Sequence, residues 1–96
     1  MREPAVYILA TKQYGTLYVG VTSDLVKRVW EHRNNAVEGF TKRHGVHRLV
    51  HFEQFCSMVE AIEREKELKK WRRAWKIELI EKGNPDWHDL WCEINQ

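Results

Sequence analysis

One carboxylate of the 96-residue sequence stands where a charged side chain is costly. Glu65 lies four residues after Ala61 and three before Leu68, so a helix would place it on the same apolar side as both. A carboxylate in such surroundings is normally paired or bound to a cation. The position therefore predicts a metal ligand or a catalytic carboxylate, and a structural ion pair with Arg28 or Arg72 is the alternative.

Two tyrosines lie on short apolar runs that a β-hairpin would bring together. Residues 5–10 read AVYILA and residues 17–21 read LYVGV, and a polar turn with one glycine separates them. In the hairpin that this turn favours, Tyr7 faces Gly20 and shares one side of the sheet with Tyr18. The glycine leaves room for a ligand beside Tyr7. The alternative is that both tyrosines are half-buried strand residues without a chemical role.

Arg28 and His32 form a second pair of candidates. Ser23 and Asp24 are suited to cap a helix that continues to about Asn35. Being four residues apart, Arg28 and His32 share one face of this helix, at the border of its apolar stripe. A border position faces a cleft as readily as open water, so a solvated arginine and a surface histidine are the alternative.

Basic residues concentrate in two further segments. One is FTKRHG at 40–45, which we predict to be a loop. The other is the second half of a long predicted helix, where basic residues recur at helical spacing and interleave with Trp71 and Trp75. Lysine and arginine contact phosphates, and exposed aromatic rings stack on unpaired bases. The predicted nucleic-acid-binding residues are Lys42, Arg43, Lys69, Arg72, Arg73 and Lys76, and a plain solvated surface is the alternative.

These candidates need an α+β scaffold to bring them together. Residues 46–55 predict a strand, and Ser57 is suited to cap a long helix that runs to about Lys82 with a weak point near Trp71. The aromatic tail is expected to pack back as a turn of helix. The order predicts one α+β, or mixed α/β, domain over residues 1–96 with a small antiparallel sheet. One face of the third strand is expected to carry Val46, Val50 and Phe52.

Composition excludes several other classes. Apolar residues make up 43% and charged residues 31%, which is typical of a globular domain rather than a disordered chain. The net charge of +2 only weakly favours an anionic partner. The two cysteines form no CxxC pair, so we expect no structural zinc site and a reducing, cytoplasmic setting. No secretion signal or membrane span is expected, because no apolar run has the required length.

Taken together, the candidate residues resemble the GIY-YIG nuclease family. Ten residues separate Tyr7 in VYI from Tyr18 in YVG, and Arg28 stands ten positions after Tyr18, as in the family. Glu65 in AIEREKELKKW resembles the residue of the family's metal-binding helix, and Asn84 in GNPDW resembles the asparagine that closes the site. The resemblance spans nearly the whole chain and is closest to the small stand-alone members. It departs from the literal motifs, since VYI stands for Gly-Ile-Tyr and the second motif has valine for isoleucine.

The resemblance implies a three-stranded antiparallel sheet flanked by helices, in the order β-β-α-β-α-α, and a divalent-metal-dependent endonuclease that hydrolyses DNA. Mg²⁺ or Mn²⁺ is the implied cofactor, because one carboxylate, water and a substrate phosphate suffice to place Mg²⁺. Glu65 would bind this metal, Arg28 would hold the phosphate, and Asn84 would fix the geometry. One tyrosine would deprotonate the attacking water, its pKa lowered by Arg28 and the metal, while His32 relays a proton. The implied catalytic residues are Tyr7, Tyr18, Arg28, His32, Glu65 and Asn84.

Two other functions share parts of this pattern. A non-catalytic module could bind nucleic acid through the same fold and its basic helix, although such a module has no reason to keep Tyr7, Arg28 and Glu65 together. A protein-interaction domain could use the aromatic tail as its surface. A cleavage assay with and without Mg²⁺ separates the enzyme from both.

The low net charge favours substrates that offer bases as well as phosphates. Each base stacked on an aromatic ring contributes about 1–3 kcal/mol, so we predict a preference for single-stranded or locally unpaired DNA. RNA stays open as a substrate, and a monomer is the simplest expectation for the oligomeric state. The stacking candidates are Trp71, Trp75, Trp87 and Tyr14, and core packing of the tryptophans is the alternative.

Overall fold

The predicted hairpin forms two strands of a three-stranded antiparallel sheet. The computed structural model describes residues 3–36 and 39–95. Within them the chain forms β1 (Ala5–Ala10), β2 (Leu17–Thr22), α1 (Leu25–Arg33), α2 (Phe40–His44), β3 (Arg48–Gln54), α3 (Met58–Lys70), α4 (Arg73–Gly83) and α5 (Trp91–Ile94). The strand order is β2-β1-β3, with β1 in the centre. The expected α+β class with a small antiparallel sheet is therefore confirmed.

The central strand β1 is buried on both faces, which explains its unbroken apolar sequence. Alternate side chains divide between two cores because successive residues of a strand point to opposite sides. Val6 and Ile8 pack with residues of α3 and α4, including Ala61 and Leu68. On the other face, β1 packs with α1 and the tail; the members of this core are Ala5, Tyr7, Leu9, Leu25, Val29, Val46 and Leu49. Each fully buried aliphatic side chain contributes about 1.5–3 kcal/mol to stability.

Two helix starts lie where the sequence predicted them. The Asp24 side chain accepts a hydrogen bond from the backbone N–H of Lys27 at the start of α1. At the start of α3, the Ser57 side chain accepts from the backbone N–H of Glu60, and its hydroxyl donates to the Glu60 carboxylate. Such caps satisfy N–H groups that have no partner inside the helix. The caps fix where α1 and α3 begin, and therefore where Arg28 and Glu65 lie on these helices.

The segment 40–45 differs from its prediction as a loop, because it forms the short helix α2. Glycines flank it, with Gly39 at φ 113° and Gly45 at φ 63°. Both values lie in the region that glycine adopts at little cost, so these residues let the chain enter and leave a helix within a few residues.

The first helix was expected to end over residues 34–39; it ends at Arg33, and residues 37–38 lie outside the described residues.

The long second helix is broken into two, which removes the predicted cationic stripe. Trp71 has φ −67° and ψ 148°, and Arg72 has φ −61° and ψ 150°, so both are extended rather than helical. Neither glycine nor proline marks the break, and Trp71 packs against the α3 side of the core instead. Basic residues on either side of the break therefore do not share one helical face. The stripe prediction, which assumed a continuous helix through Lys69 and Lys76, was wrong.

Strand β3 also departs from the predicted alternation. A register shift between Ile8 and Leu9 leaves one extra residue on β3 in its pairing with β1. Val50 packs in the core beneath α3, whereas Phe52 packs on the opposite face beside α1. A β-bulge changes which face the following residues occupy. The expectation that Val50 and Phe52 share a face was therefore wrong.

The aromatic tail packs back as expected. The backbone N–H of Leu90 donates to the carbonyl of Leu49, and Trp91 and Ile94 of α5 lie against the α1 side of the core. Over residues 3–36 and 39–95, no helix has both the length and the apolar character needed to cross a bilayer.

Candidate active site

Tyr7 passes across the edge strand of the sheet, and Gly20 makes this path available. The two residues are directly paired between β1 and β2, which confirms the predicted hairpin register. A Cβ atom at position 20 would lie 2.4 Å from both Cζ and Oη of Tyr7. No side chain fits at that distance, so the tyrosine ring occupies the space of the missing side chain. The hydroxyl of Tyr7 is thereby carried from the central strand toward the β2 edge.

Tyr18 lies beside Tyr7 on the same face of the sheet. The ring centroids are 6.4 Å apart, and both rings lie 5.7 Å from the imidazole of His32. Tyr7 is buried and Tyr18 is half-buried. The prediction that the two tyrosines point to one side of the sheet is confirmed.

His32 connects Tyr7 to the short helix α2. Its Nε2 atom lies 3.0 Å from the Tyr7 hydroxyl, and its Nδ1 atom lies 3.0 Å from the Thr41 hydroxyl. His32 and Thr41 are both buried. Burial, followed by the positive charge of Arg28, lowers the pKa of His32 to about 4. The imidazole is therefore neutral at pH 7, with one nitrogen donating a hydrogen bond and the other accepting one.

The hydroxyl of Tyr7 is held in its protonated form. Burial and the neighbouring Tyr18 raise the pKa of Tyr7 above its ordinary value of 10, and the charge of Glu65 acts in the same direction. Arg28 acts in the opposite direction through its charge and a hydrogen bond. The expectation that positive charge lowers the pKa of a catalytic tyrosine is wrong for Tyr7, whose pKa is raised although Arg28 opposes the change. Burial outweighs this contribution, because it disfavours the charged phenolate more strongly.

Arg28 lines an open cleft at the start of α1. The cleft has a volume of about 530 Å³ and lies between the end of β2, the first turns of α1 and Met58 at the start of α3. The guanidinium is 41% exposed and lies 3.4 Å from the Glu31 carboxylate. A half-exposed arginine in a polar cleft can still bind a phosphate, because its planar group offers several donors.

Glu65 reaches the same region from the opposite side of the sheet. It lies on α3, which packs against β2 and β1, and its side chain is 15% exposed. The negative charge of Glu65 contributes to the raised pKa of Tyr7. The ion pair that the structure gives Glu65 is with Lys69, at 2.9 Å, rather than with Arg28 or Arg72. The structural alternative was therefore right about pairing and wrong about the partner.

The donor set fits a hydrated cation and not a metal enclosed by protein. Among residues 3–36 and 39–95, no group of three or more histidine, cysteine or acidic side chains is arranged to hold a metal ion. Mg²⁺ needs less than this, since it keeps several waters and often uses one carboxylate with substrate phosphates. Glu65, half-buried and paired with the mobile end of a lysine, fits that requirement. Zn²⁺, which takes three or four protein ligands, does not fit.

Asn84 lies away from these residues. Its side-chain amide donates to the carbonyls of Val50 and His88, and its side-chain oxygen accepts from the backbone N–H of His88. Val50 belongs to β3, the strand at the opposite edge from β2. Asn84 therefore ties the end of α4 to the sheet and to the following turn. The expectation that it closes the catalytic site stays a prediction beside this structural role.

The predicted nucleic-acid-binding residues are dispersed. Arg73 donates to the carbonyls of Tyr14 and Gly15, which ties α4 to the hairpin turn. Arg72 lies over the ring of Trp75, and Lys69 is paired with Glu65 on α3. The remaining residues of this set are Lys42 and Arg43, exposed on α2, and Lys76, half-buried on α4. The six residues are thus spread over α2, α3, α4 and the junction between α3 and α4.

The stacking candidates also divide. Trp87 is fully buried and donates from its indole N–H to Glu81, so it is a core residue and the prediction for it was wrong. Trp75 is 48% exposed and Tyr14 is 58% exposed. Trp71 is half-buried and meets Trp75 edge to face.

Two neighbours of the tyrosines, Phe40 and Thr41, were missed in the sequence. Thr41 binds Nδ1 of His32, and Phe40 lies with its ring 6.3 Å from that of Tyr18 at an angle of 23°. Both belong to α2, which was expected to be a loop. The available signal was a phenylalanine and a threonine at the start of an otherwise basic segment.

The assembled geometry is that of a nuclease-type α+β domain, with a tyrosine pair and a histidine on one face of the sheet, an arginine in the adjoining cleft, and a half-buried carboxylate on α3. A family model described as the GIY-YIG catalytic domain matches residues 3–78. The chain belongs to the GIY-YIG family, as its motifs predicted.

Its relatives are small proteins of similar length. The chain is 37% identical over 83 residues to a UPF0213 protein of Staphylococcus saprophyticus, covering 86% of this chain and 100% of that one. It is 38% identical over 90 residues to a UPF0213 protein of Clostridium perfringens, covering 94% of this chain and 96% of that one. The solution structure of a UPF0213 protein of Bacillus halodurans is similar, with a TM-score of 0.51 and 33% identity over 82% of this chain and 83% of that one.

Proposed function

We propose that this protein is a divalent-metal-dependent endonuclease that hydrolyses phosphodiester bonds in DNA. The observation that carries the proposal is the path of Tyr7 over Gly20 to a hydrogen bond with His32, where the charges of Arg28 and Glu65 both act on its pKa. A structural hydrogen-bond network does not need a tyrosine routed across an edge strand toward an arginine. Family membership supports a nuclease-type activity.

Arg28 would bind the substrate phosphate. Its guanidinium lines the cleft, and its contact with Glu31 at 3.4 Å is long enough to be exchanged for a phosphate oxygen. Charge-assisted hydrogen bonds to the phosphate hold the phosphorus near the tyrosine hydroxyls. The same bonds strengthen as negative charge develops on the phosphate oxygens in the transition state.

Glu65 would hold Mg²⁺ or Mn²⁺ together with water and the phosphate. When bound, such a cation neutralises charge that develops on the phosphate and on the leaving oxygen. Lys69 must move away from Glu65 for this to happen. Lys69 is 52% exposed, so its long side chain can turn into solvent at low cost.

Tyr7 and His32 would handle the proton of the attacking water. As the water oxygen bonds to phosphorus and the bond to the leaving oxygen breaks, the water proton passes to Oη of Tyr7. The Tyr7 proton passes to Nε2 of His32, to which it is already hydrogen-bonded. The phosphate favours this transfer, because its negative charge raises the pKa of the imidazole. Tyr18, less buried, would orient the water.

Single-stranded or locally unpaired DNA is the preferred substrate in this proposal. The net charge of +2 gives a weak grip on a duplex, and the predicted basic residues are dispersed. An exposed aromatic ring such as Tyr14 offers stacking that a closed duplex cannot use. We place the activity in the cytoplasm, since the exposed Cys56 and Cys92 are both free and suit a reducing compartment. We propose that the protein acts as a monomer.

The test is cleavage of end-labelled oligonucleotides by the purified protein. Single-stranded and duplex DNA of one sequence, and the matching RNA, are incubated with Mg²⁺, with Mn²⁺ or with EDTA. We expect cleavage of DNA with either metal, none with EDTA, and a faster rate on the single strand. An Arg28→Leu variant serves as the control against a contaminating nuclease, because it should bind weakly and not cut.

The rival function, a non-catalytic nucleic-acid-binding module, makes a different prediction. Such a module would bind the same oligonucleotides without producing fragments under any metal condition. Fragments that are equally abundant with wild-type protein and with Arg28→Leu would also overturn the proposal.

A further inference from the structure

Helix α2 places an exposed aromatic side chain directly beside the tyrosine pair. Phe40 is 43% exposed, although it contacts Tyr18. The two rings are nearly parallel, at 23°, with centroids 6.3 Å apart. His44, one turn further along α2, has its ring 4.4 Å from that of Phe40. Three aromatic rings therefore lead outward in a row from the candidate active site to the surface.

The surroundings of this row define the chemistry of its occupant. Phe40 leaves apolar surface in water, and flat apolar ligands bind such surface by stacking. Arg43 and His44 are exposed on the same short helix, and Arg28 lines the cleft at the start of α1. A ligand that suits the row is flat and apolar on its face and carries negative charge nearby. A nucleobase with its phosphate has both properties.

We infer that Tyr18, Phe40 and His44 form a stacking platform for an unpaired base of the substrate strand, next to the phosphate that is cut. This inference rests on the proposed nuclease function and specifies the substrate feature that the site selects. The faces of a base in a duplex are covered by its neighbours. Only a single-stranded or locally opened segment can therefore use the platform.

A second exposed aromatic group on α4 is the natural comparison. Trp71, Trp75 and Leu79 line a shallow groove of about 380 Å³ there. The guanidinium of Arg72 already lies 5.5 Å from the centre of the Trp75 ring. Trp71 and Leu79 of this groove pack against the core on the other face of the sheet from Tyr7 and Tyr18. Trp75 therefore provides the matched control, because it is similarly exposed but is not adjacent to the site.

The platform is tested by binding, without catalysis, in EDTA. A twelve-nucleotide single strand of DNA carries one 2-aminopurine, whose fluorescence falls when the base stacks, and the affinity is measured separately by anisotropy of a terminal dye. Wild-type protein should quench the 2-aminopurine. Phe40→Leu should abolish the quenching and weaken single-strand binding by roughly tenfold, with duplex binding unchanged. Phe40→Trp should restore both, and Trp75→Leu should alter neither.

The outcomes separate this inference from the proposed function. Quenching that survives in Phe40→Leu, or that is lost in Trp75→Leu, overturns the platform, and thermal unfolding shows whether each variant is folded. Cleavage of the same oligonucleotide by wild-type protein in Mg²⁺ is measured in parallel. Cleavage without Phe40-dependent quenching leaves the nuclease proposal standing and removes the platform. Phe40-dependent quenching without cleavage supports the platform and removes the nuclease proposal.

Discussion

Two clusters, each with a histidine at its centre, lie on opposite faces of the sheet, and their electrostatics run in opposite directions. On the α1 face, burial lowers the pKa of His32 to about 4 and raises the pKa of Tyr7. On the α3 face, a hydrogen bond from His51 and further contacts with Arg64 lower the pKa of Glu53 to about 2. The first cluster keeps Tyr7 and His32 neutral, whereas the second keeps Glu53 and Arg64 charged.

The comparison indicates which of the two carboxylates, Glu53 or Glu65, has room to accept a cation. Glu53 accepts hydrogen bonds from His51 at 2.8 Å and from Arg64 at 2.8 and 3.2 Å, so its lone pairs are committed to the fold. Glu65, the next residue after Arg64, has an exposed lysine as its ion-pair partner. A saturated carboxylate stabilises, while a carboxylate with one exchangeable partner can accept a cation.

The largest effect expected from this comparison concerns the two carboxylates. Glu65→Gln should lower the cleavage rate by roughly a thousandfold, since a bound metal supplies several kcal/mol of transition-state stabilisation. Glu53→Gln should leave the rate within about twofold, because no group of its cluster touches the cleft. Both rates are measured on one single-stranded substrate at saturating Mg²⁺. Similar losses of cleavage rate in the two variants would contradict the proposal that Glu65, and not Glu53, binds the metal.

The free energy of unfolding should change more in Glu53→Gln than in Glu65→Gln. Glu53→Gln should lower the free energy of unfolding by about 2–3 kcal/mol at pH 7, because it leaves Arg64 without its main partner. The contribution of Glu53 is present above its ordinary pKa of 4.5 and is lost as the pH falls toward 2. Urea unfolding of both proteins from pH 7 to pH 2 measures this. The difference in the free energy of unfolding between wild type and Glu53→Gln should vanish near pH 2. A difference that stays constant with pH would contradict this role of Glu53.

His32 should make the free energy of unfolding depend on pH in a higher pH range than Glu53 does. Its pKa is about 4 in the folded protein against 6.5 ordinarily, so the unfolded chain binds the proton first. The free energy of unfolding should therefore fall by about 2 kcal/mol between pH 7 and pH 5 on this account. His32→Gln should show a flatter profile over the same range. Equal slopes for the two proteins would show that His32 does not stay neutral.

Thr41 should affect the rate more than the binding of substrate. Thr41→Val keeps the shape of the side chain and removes the hydroxyl that contacts Nδ1 of His32. An unpaired buried nitrogen costs about 1–3 kcal/mol, so the maximal cleavage rate should fall by roughly tenfold with KM unchanged and the pH profile shifted. Thr41→Ser should retain the rate. A merely structural role would alter the melting temperature and leave the pH profile in place.

The smallest expected effect is at Lys69. Lys69→Met removes the cation that now neutralises Glu65, so half-maximal cleavage should need about two- to fivefold less Mg²⁺. Lys70→Met, which changes the neighbouring exposed lysine, is the matched control. A higher Mg²⁺ requirement in Lys69→Met would instead show that Lys69 helps to hold the substrate phosphate.

Local rules were sufficient for much of the fold. The period-two pattern and the glycine turn placed Tyr7 opposite Gly20, and the serine and aspartate caps placed α1 and α3. These features depend on neighbours within a few residues along the chain. Glu65 was singled out because an acidic residue interrupted an apolar face, which is also a local signal.

Long-range packing decided what the sequence did not reveal. The weak point that the sequence predicted near Trp71 is confirmed, but the full break depends on the packing of Trp71 against the core. The bulge opposite Ile8 and Leu9 depends on pairing between strands about forty residues apart. Asn84 matched a motif by spacing, but its hydrogen bonds to Val50 place it at the far edge of the sheet. None of these contacts leaves a local pattern.

Gly20 has a consequence for how this protein could change over generations. One methyl group there would displace the Tyr7 ring, since the space for a Cβ atom is already filled by Cζ and Oη. Every other polar residue of the site could remain in its present place. If the proposed nuclease function holds, a single substitution at Gly20 would displace the catalytic tyrosine and leave Arg28 in place to bind phosphate. Cutting and binding without cutting would then be one mutational step apart, in either direction.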